Sequence, residues 1–143
     1  MSQSLENVVF YSIEKAIKSY RQFAQKELKR NGLDITVDQW LVLKSLSDHP
    51  RVSQKELAAM VFKDAASVTR ILSLLVKAGF IKSTIHNGDH RRTSLSITPN
   101  GNRMIRNAET VVKQYRSKAL QNIPKKDIRH LNDVLGQLIT NTK

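Results

Sequence analysis

Small, hydroxyl-bearing and basic side chains project from one side of a helix predicted between Asp64 and Lys77. On the other side, apolar residues recur at helical spacing and predict a buried stripe: Val68, Ile71, Leu72 and Leu75. A helix face without bulky apolar groups can enter the major groove of duplex DNA, where arginine hydrogen-bonds to guanine and hydroxyl groups reach phosphates or base edges. We therefore predict a DNA-contacting face with Arg70 as its main base-reading residue. Its members are Ala66, Ser67, Thr69, Arg70, Ser73 and Lys77.

A second basic cluster follows in a predicted hairpin. Apolar and polar residues alternate over residues 81–85 and again over residues 93–97, and the turn signal Asn-Gly-Asp at 87–89 separates the two runs. The tip of a narrow hairpin can place basic side chains against a minor groove or against phosphates. We predict such contacts for three residues near the tip: His90, Arg91 and Arg92.

One continuous unit, residues 52–98, must position both clusters. Ser53 begins the capping-box pattern Ser-Gln-Lys-Glu, which predicts a first short helix, and Asp64 is the start signal of the second. Gly79 ends the second helix before the hairpin. A helix-turn-helix followed by a two-stranded hairpin is a winged helix-turn-helix. Ser53 and Gln54, at the start of its first helix, complete the predicted set of DNA contacts.

Two plainer interpretations compete with DNA binding. Helix-turn-helix shapes also serve as protein-interaction modules, and a basic helix face is usually only solvated. The capping box, the polar second helix and the basic wing occur together in one unit, and this coincidence favours DNA binding.

Long helices with apolar stripes flank the unit. One is predicted over residues 4–30, ended by Asn31-Gly32. After the hairpin, Thr98-Pro99 starts a second long helix that runs to Pro124, and a last amphipathic helix follows, so residues 99–142 are helical apart from that break.

A shorter helix precedes the unit. The capping box Thr36-Val37-Asp38-Gln39 starts it, and Arg51-Val52 is expected to form a short strand against the hairpin. The predicted fold is mainly α with a small β wing. It is one domain over residues 1–143, in which a winged helix-turn-helix lobe, residues 36–98, lies between dimerisation helices at 4–30 and 99–142.

The unit resembles the DNA-binding lobe of the multiple antibiotic resistance regulator (MarR) family of bacterial transcription factors, and with the flanking helices the resemblance covers nearly the whole chain. Its most specific part is the Asp-x-Arg motif of the wing, which runs into Leu-Ser-Ile-Thr-Pro-Asn-Gly at 95–101. The other matching segments are Ser53–Ala58, Ser67–Arg70 and Leu75–Ile81. The resemblance implies that Asp89 and Arg91 brace the wing through an ion pair and that Arg92 contacts DNA. The sequence leaves open which arginine braces and which inserts.

The apolar stripes of the terminal helices predict a two-fold dimer, because a single chain would expose a large apolar surface. Two-fold pairing presents two recognition helices to successive major grooves about 34–36 Å apart, so the predicted operator is a palindrome in double-stranded DNA. The predicted function is that of a dimeric, sequence-specific transcriptional regulator, most simply a repressor.

The family resemblance also implies release by a small aromatic ligand, held in a crevice between the dimerisation helices and the lobe. Four aromatic residues lie on elements that could border such a crevice: Tyr11, Tyr20, Trp40 and Tyr115. Each of them also fits ordinary core packing, and Trp40 fits it best because it lies on an apolar helix face.

Composition supports a polyanionic partner. The 24 Lys and Arg residues exceed the 12 Asp and Glu residues and give a net charge of +12. The chain has no cysteine, which excludes disulfides and thiolate metal sites. It shows neither a membrane-spanning apolar run nor a secretory signal pattern, so we expect a cytoplasmic protein without a membrane partner.

Catalytic and metal chemistry find little support in the sequence. The four histidines are scattered, and a glycine-containing turn separates His86 from His90. No phosphate-binding glycine motif or nucleophile elbow is present. We expect no enzyme activity, no metal and no cofactor.

The strong positive charge leaves one alternative function, a sequence-indifferent architectural DNA-binding protein with a steep salt dependence. A partner-binding winged helix that ignores DNA is the third possibility. Selection of bound fragments from random duplexes separates all three.

Overall fold

The computed structural model describes the backbone of residues 2–86 and 89–143, and the side chains of that part other than residues 85–93. Within these residues, a short 3-10 turn, Leu5–Asn7, precedes six helices and one antiparallel pair of strands. In chain order these are α1 (Val9–Arg30), α2 (Val37–Asp48), α3 (Gln54–Met60), α4 (Ala65–Lys77), β1 (Ile81–His86), β2 (Asp89–Ile97), α5 (Pro99–Ala119) and α6 (Lys125–Asn141). The predicted fold class, mainly α with a small β wing, is confirmed.

Helix α1 differs from the prediction at its start. The sequence predicted one helix from residue 4, but Val8 is extended (φ −88°, ψ 126°) and separates the 3-10 turn from α1. Neither Ser4 nor Val8 offers a side-chain cap to the helix that follows it. The predicted end is confirmed, because Gly32 adopts a φ of +76° just after the helix.

Side-chain caps start most of the other helices where the sequence placed them. Thr36 and Gln39 form a complete, reciprocal capping box, and the Thr98 hydroxyl accepts a hydrogen bond from the Gly101 N–H, with Pro99 in the first turn of α5. At α3 the box is only half formed. Ser53 accepts from the Glu56 N–H at 3.1 Å, but the Glu56 carboxylate accepts from the Ser53 hydroxyl instead of from its backbone N–H.

The wing is an antiparallel pair in which Ile81 lies opposite Ile97 and Ser83 opposite Leu95. The predicted third strand at Arg51-Val52 is wrong for the described residues, where the sheet has two strands. Val52 donates its backbone N–H to the His49 carbonyl at 3.1 Å. This turn uses the donor that a third strand would need.

The core lies between the second half of α1, helices α2 to α4, the base of the wing and most of α5. Trp40 is 3% exposed and belongs to this core, as do Ala24 and Leu28 of α1. Helix α6 buries none of its side chains, and the first half of α1 has no buried residue. Within the single chain, the apolar side chains at both chain ends are therefore much less buried than those of helices α2 to α4.

Candidate nucleic-acid interface

Helix α4 has two distinct faces, as its sequence predicted. Val68, Leu72 and Leu75 are buried against the rest of the lobe, and Ile71 is half-buried. The opposite face is open to solvent. It carries exposed Ala66, Thr69, Arg70, Ser73 and Lys77, with half-buried Ser67 at its edge. The structure thus brings all six predicted α4 contact residues onto one accessible helix.

Asp64 fixes the start of α4. Its carboxylate accepts a hydrogen bond from the Ser67 N–H at 2.7 Å. The pKa of Asp64 is lowered, first by this backbone hydrogen bond, then by the Ser67 hydroxyl, with smaller contributions from the positive charges of Arg70 and Lys63. An ionised carboxylate at this position also suits the positive end of the helix dipole.

The basic side chains of the exposed face are available for a ligand. Within the described part of the structure, no carboxylate forms an ion pair with Arg70 or Lys77. Thr69 is different, because its hydroxyl donates to the Ala65 carbonyl at 2.9 Å, which leaves the oxygen of this exposed side chain able to accept a hydrogen bond. The face can therefore offer two cations and a short hydroxyl-bearing surface to a polyanion.

The two other groups of predicted contacts are placed less completely. Ser53 and Gln54 are exposed at the start of α3, although the Ser53 hydroxyl is already occupied by its capping bonds. His90, Arg91 and Arg92 lie on β2, as does Asp89, but their side chains are outside the described residues. The predicted wing contacts and the predicted Asp89–Arg91 brace therefore stay predictions.

The four aromatic residues proposed to border a ligand crevice do not converge on one cavity. Tyr20 and Tyr115 pack edge to face with ring centroids 5.9 Å apart, and burial raises the pKa of Tyr115 to about 12. Trp40 lies in the core, whereas Tyr11 is exposed beside shallow grooves on the first half of α1. A separate groove of about 260 Å³ between α1 and the start of α2 contains none of the four. Their proposed ligand role remains a prediction.

Two features near α4 were missed in the sequence. Phe62, in the turn before α4, is 91% exposed and has a φ of +60°. Lys63 places its ammonium 3.3 Å from the Asp38 carboxylate of α2. A phenylalanine and a lysine give no local signal for either arrangement, because both depend on how the turn packs in three dimensions.

Two further observations concern other chemistry. Across the described residues, no group of three or more histidine, aspartate or glutamate side chains is arranged to hold a metal ion. None of the helices in the described part combines the length and the apolar character needed to span a bilayer.

Comparison with known proteins identifies the fold. The MarR family model matches residues 35–93. The HTH-type transcriptional regulator BilQ of Clostridium symbiosum is 25% identical over 121 residues, which cover 85% of this chain and 83% of BilQ. SarZ of Staphylococcus epidermidis, also named an HTH-type transcriptional regulator, is 29% identical over 101 residues, covering 71% of this chain and 64% of SarZ. The match to SarZ therefore leaves about a third of SarZ without a counterpart in this chain.

Solved structures give the same result along almost the whole chain. A mutant of Escherichia coli MarR complexed with operator DNA matches with a TM-score of 0.80 at 21% identity, covering 88% of this chain and 89% of MarR. CouR of Rhodococcus jostii, bound to p-coumaroyl-CoA, matches with a TM-score of 0.80 at 20% identity, covering 96% of this chain and 95% of CouR. The resemblance recognised in the sequence is therefore confirmed: residues 35–93 match the MarR family model, and the chain has the fold of solved MarR-family structures over nearly its whole length.

Proposed function

We propose that this chain is a sequence-specific DNA-binding transcriptional regulator that acts as a dimeric repressor. The observation that carries the proposal is the two-faced α4, whose buried stripe fixes the helix in the lobe while its exposed face presents Arg70 and Lys77. Counterion release at phosphates would supply most of the affinity, and contacts of Arg70 with base edges would supply the discrimination. A MarR structure of the same fold is complexed with operator DNA, which supports this use of the lobe.

The exposed apolar residues at the chain ends support the dimer. They include Leu5, Val9, Phe10 and Ile17 near the N-terminus and Leu120, Ile123, Leu131, Val134 and Ile139 near the C-terminus. Large apolar side chains exposed in such number usually mark an interaction site. A two-fold partner covering it would hold two copies of α4 at successive major grooves, and an inverted-repeat operator follows from that symmetry.

Release by a small aromatic ligand is part of the proposal. CouR is bound to p-coumaroyl-CoA in its structure, and a BpsR structure concerns regulation of DNA binding by 6-hydroxynicotinic acid. A ligand can act only by binding two arrangements of the dimer with different affinity. We expect it to favour a spacing of the α4 pair that no longer matches two successive grooves. A cytoplasmic location beside the chromosome belongs to the same proposal.

Selection from a random duplex library at physiological salt tests the function. A sequence-specific dimer enriches an inverted repeat, and Arg70→Ala flattens the enrichment. The net charge of +12 favours one rival, an architectural protein. That rival predicts retention of all duplexes without enrichment and a steep loss of binding with salt. A chain that retains no duplex contradicts both.

A further inference from the structure

Three charged side chains from three different elements meet at the start of α2. The guanidinium of Arg21, on α1, forms an ion pair and hydrogen bond with one oxygen of the Asp38 carboxylate. The ammonium of Lys63, in the turn between α3 and α4, lies 3.3 Å from the other oxygen. One carboxylate thus contacts both a helix assigned to the dimer interface and the turn from which α4 begins.

Hydrogen bonds to the backbone also hold the segment around Asp38 on α1. Gln25 lies one turn after Arg21, and its side-chain carbonyl accepts a hydrogen bond from the Val37 N–H at 2.9 Å. Its amide group also donates to the Ile35 carbonyl at 3.3 Å. These two bonds fasten the start of α2 to α1, and the Thr36 capping box fixes the first turn of α2 itself.

The turn that carries Lys63 contains a residue in a strained backbone conformation. Its backbone closes as a Schellman motif, in which Phe62 donates to the Ala59 carbonyl and Lys63 to the Ala58 carbonyl. The helices α1 and α4 end in the same pattern with Gly32 and Gly79 at the position of positive φ. Here Phe62 occupies that position with a φ of +60°, a conformation that costs a non-glycine residue free energy.

We propose that Asp38 is a positioning residue that couples α1 to α4 by tying the Lys63 turn to Arg21. A displacement of α1 in the dimer would then be carried to the start of the recognition helix. The inference deepens the proposed function, on which it rests, because the angle of α4 sets which half-site spacing the dimer can bind. All three side chains are about one-third exposed, so each pair alone adds little stability, and orientation is the expected role.

The test uses three variants, Asp38→Asn, Arg21→Gln and the double variant that combines these two changes. Arg30→Gln serves as the control for all three. Arg30 is a matched control, since it lies on the same helix, loses the same charge, and pairs with Glu27 away from the turn. Operator affinity is measured for the selected inverted repeat and for the same repeat with one base pair inserted at its centre. The ratio of interest is the affinity for the selected repeat divided by the affinity for the repeat with the insertion. We expect this ratio to fall by about 5- to 20-fold in Asp38→Asn and Arg21→Gln, within the usual range of coupling between sites.

The double variant should fall no further than the worse single variant, because both changes break one link. Arg30→Gln should keep the ratio of the wild-type chain. A purely structural role of Asp38 would lower the melting temperature and the active fraction without changing the ratio. An unchanged ratio in Asp38→Asn and Arg21→Gln would overturn the inference and leave the proposed function intact.

A second measurement needs no DNA. Ser67 and Val68 both donate their backbone N–H groups to Asp64 at the start of α4. We expect faster hydrogen exchange at these amides in Asp38→Asn and Arg21→Gln than in Arg30→Gln or the wild-type chain. If the wild-type chain selects no operator, the proposed function fails, and these exchange rates alone decide the coupling: faster exchange supports it and equal exchange refutes it.

Discussion

A methyl group placed on the Cα of Gly101 would overlap the backbone carbonyl oxygen of Phe80. The first turn of α5 packs against the strand entry at this point, where Thr98 donates its backbone N–H to the same carbonyl at 3.0 Å. Because the obstructing atom is backbone, it cannot move aside at low cost. We therefore predict that Gly101→Ala destabilises the fold by about 1–3 kcal/mol, the usual cost of overpacking, measured by chemical denaturation.

Gly136 is the matched control for Gly101. It lies inside α6, and a Cβ there would meet no atom within 4 Å. Gly136→Ala should raise stability by about 0.5–1 kcal/mol through helix propensity. Equal effects at the two positions would contradict the packing described for Gly101.

Phe62 offers a prediction opposite in sign to the one for Gly101→Ala. Its φ of +60° is easily adopted by glycine, and its ring, 91% exposed, gains little from packing within the chain. Phe62→Gly should therefore stabilise the protein by about 0.5–1 kcal/mol after allowance for the greater freedom of glycine in the unfolded chain. Asn122→Gly is the control with a φ of +65° and should gain less, because asparagine tolerates this conformation. A loss of stability in Phe62→Gly would refute the strain.

The Asp64 cap predicts a specific pH dependence. Because the pKa of this carboxyl is lowered from its ordinary value of 3.8 in the folded protein, the unfolded chain binds the proton more tightly. The stability that the Asp64 carboxylate contributes is therefore fully present at pH values well above 3.8. It is lost as the pH falls through the lower pKa of the folded protein. Asp64→Asn keeps a capping oxygen without the charge. The stability difference between wild type and variant should be larger at neutral pH than at pH values below the folded pKa. Thermal melts across that pH range measure this difference. A difference that does not change with pH would contradict the role of the charge.

Arg70 and Lys77 should separate base reading from phosphate binding. Arg70→Ala should cost about 1–3 kcal/mol per half-site and relax preference at one base pair, as expected for a bidentate contact with guanine. Lys77→Ala should weaken binding to all sequences alike and reduce the salt slope by about 1 per subunit. Lys126→Ala, an exposed lysine on α6, is the control for loss of one charge. Unchanged sequence preference in Arg70→Ala would exclude its role in base reading.

Leu131 tests the proposed dimer. It is 55% exposed on α6, so Leu131→Lys breaks little packing within its own chain. We expect this variant to sediment as a monomer and to lose high-affinity operator binding while keeping its helical circular dichroism. Asn132→Lys adds the same charge at a neighbouring exposed polar position and should remain dimeric. A dimeric Leu131→Lys would place the interface elsewhere.

The helix starts at Thr36, Asp64 and Thr98 were predictable because a cap and its helix are close neighbours in sequence. The exposed face of α4 was predictable for a similar reason, since periodicity alone separates Arg70 from Leu72. These local signals sufficed for the fold class and for the accessible side of the candidate site.

The predictions were wrong or incomplete where a contact with a distant or competing residue determines the local structure. The predicted strand at Arg51-Val52 is wrong because Val52 donates to His49 in a turn. The link from Asp38 to Lys63 joins residues of separate elements, and no pattern within either segment indicates it. The left-handed Phe62 contradicts the ordinary preference for glycine, so residue type alone points away from it.

The absence of buried side chains on α6 has a consequence for the abundance at which the protein works. A helix of 17 residues in which no side chain is fully buried gains little of the tertiary packing that supplies most helical stability. If the partner subunit supplies that burial, mass action links folding of the C-terminal end to protein concentration. A dilute sample should then melt at a lower temperature than a concentrated one, and a cell holding few copies would keep part of its pool as chains with frayed C-terminal ends.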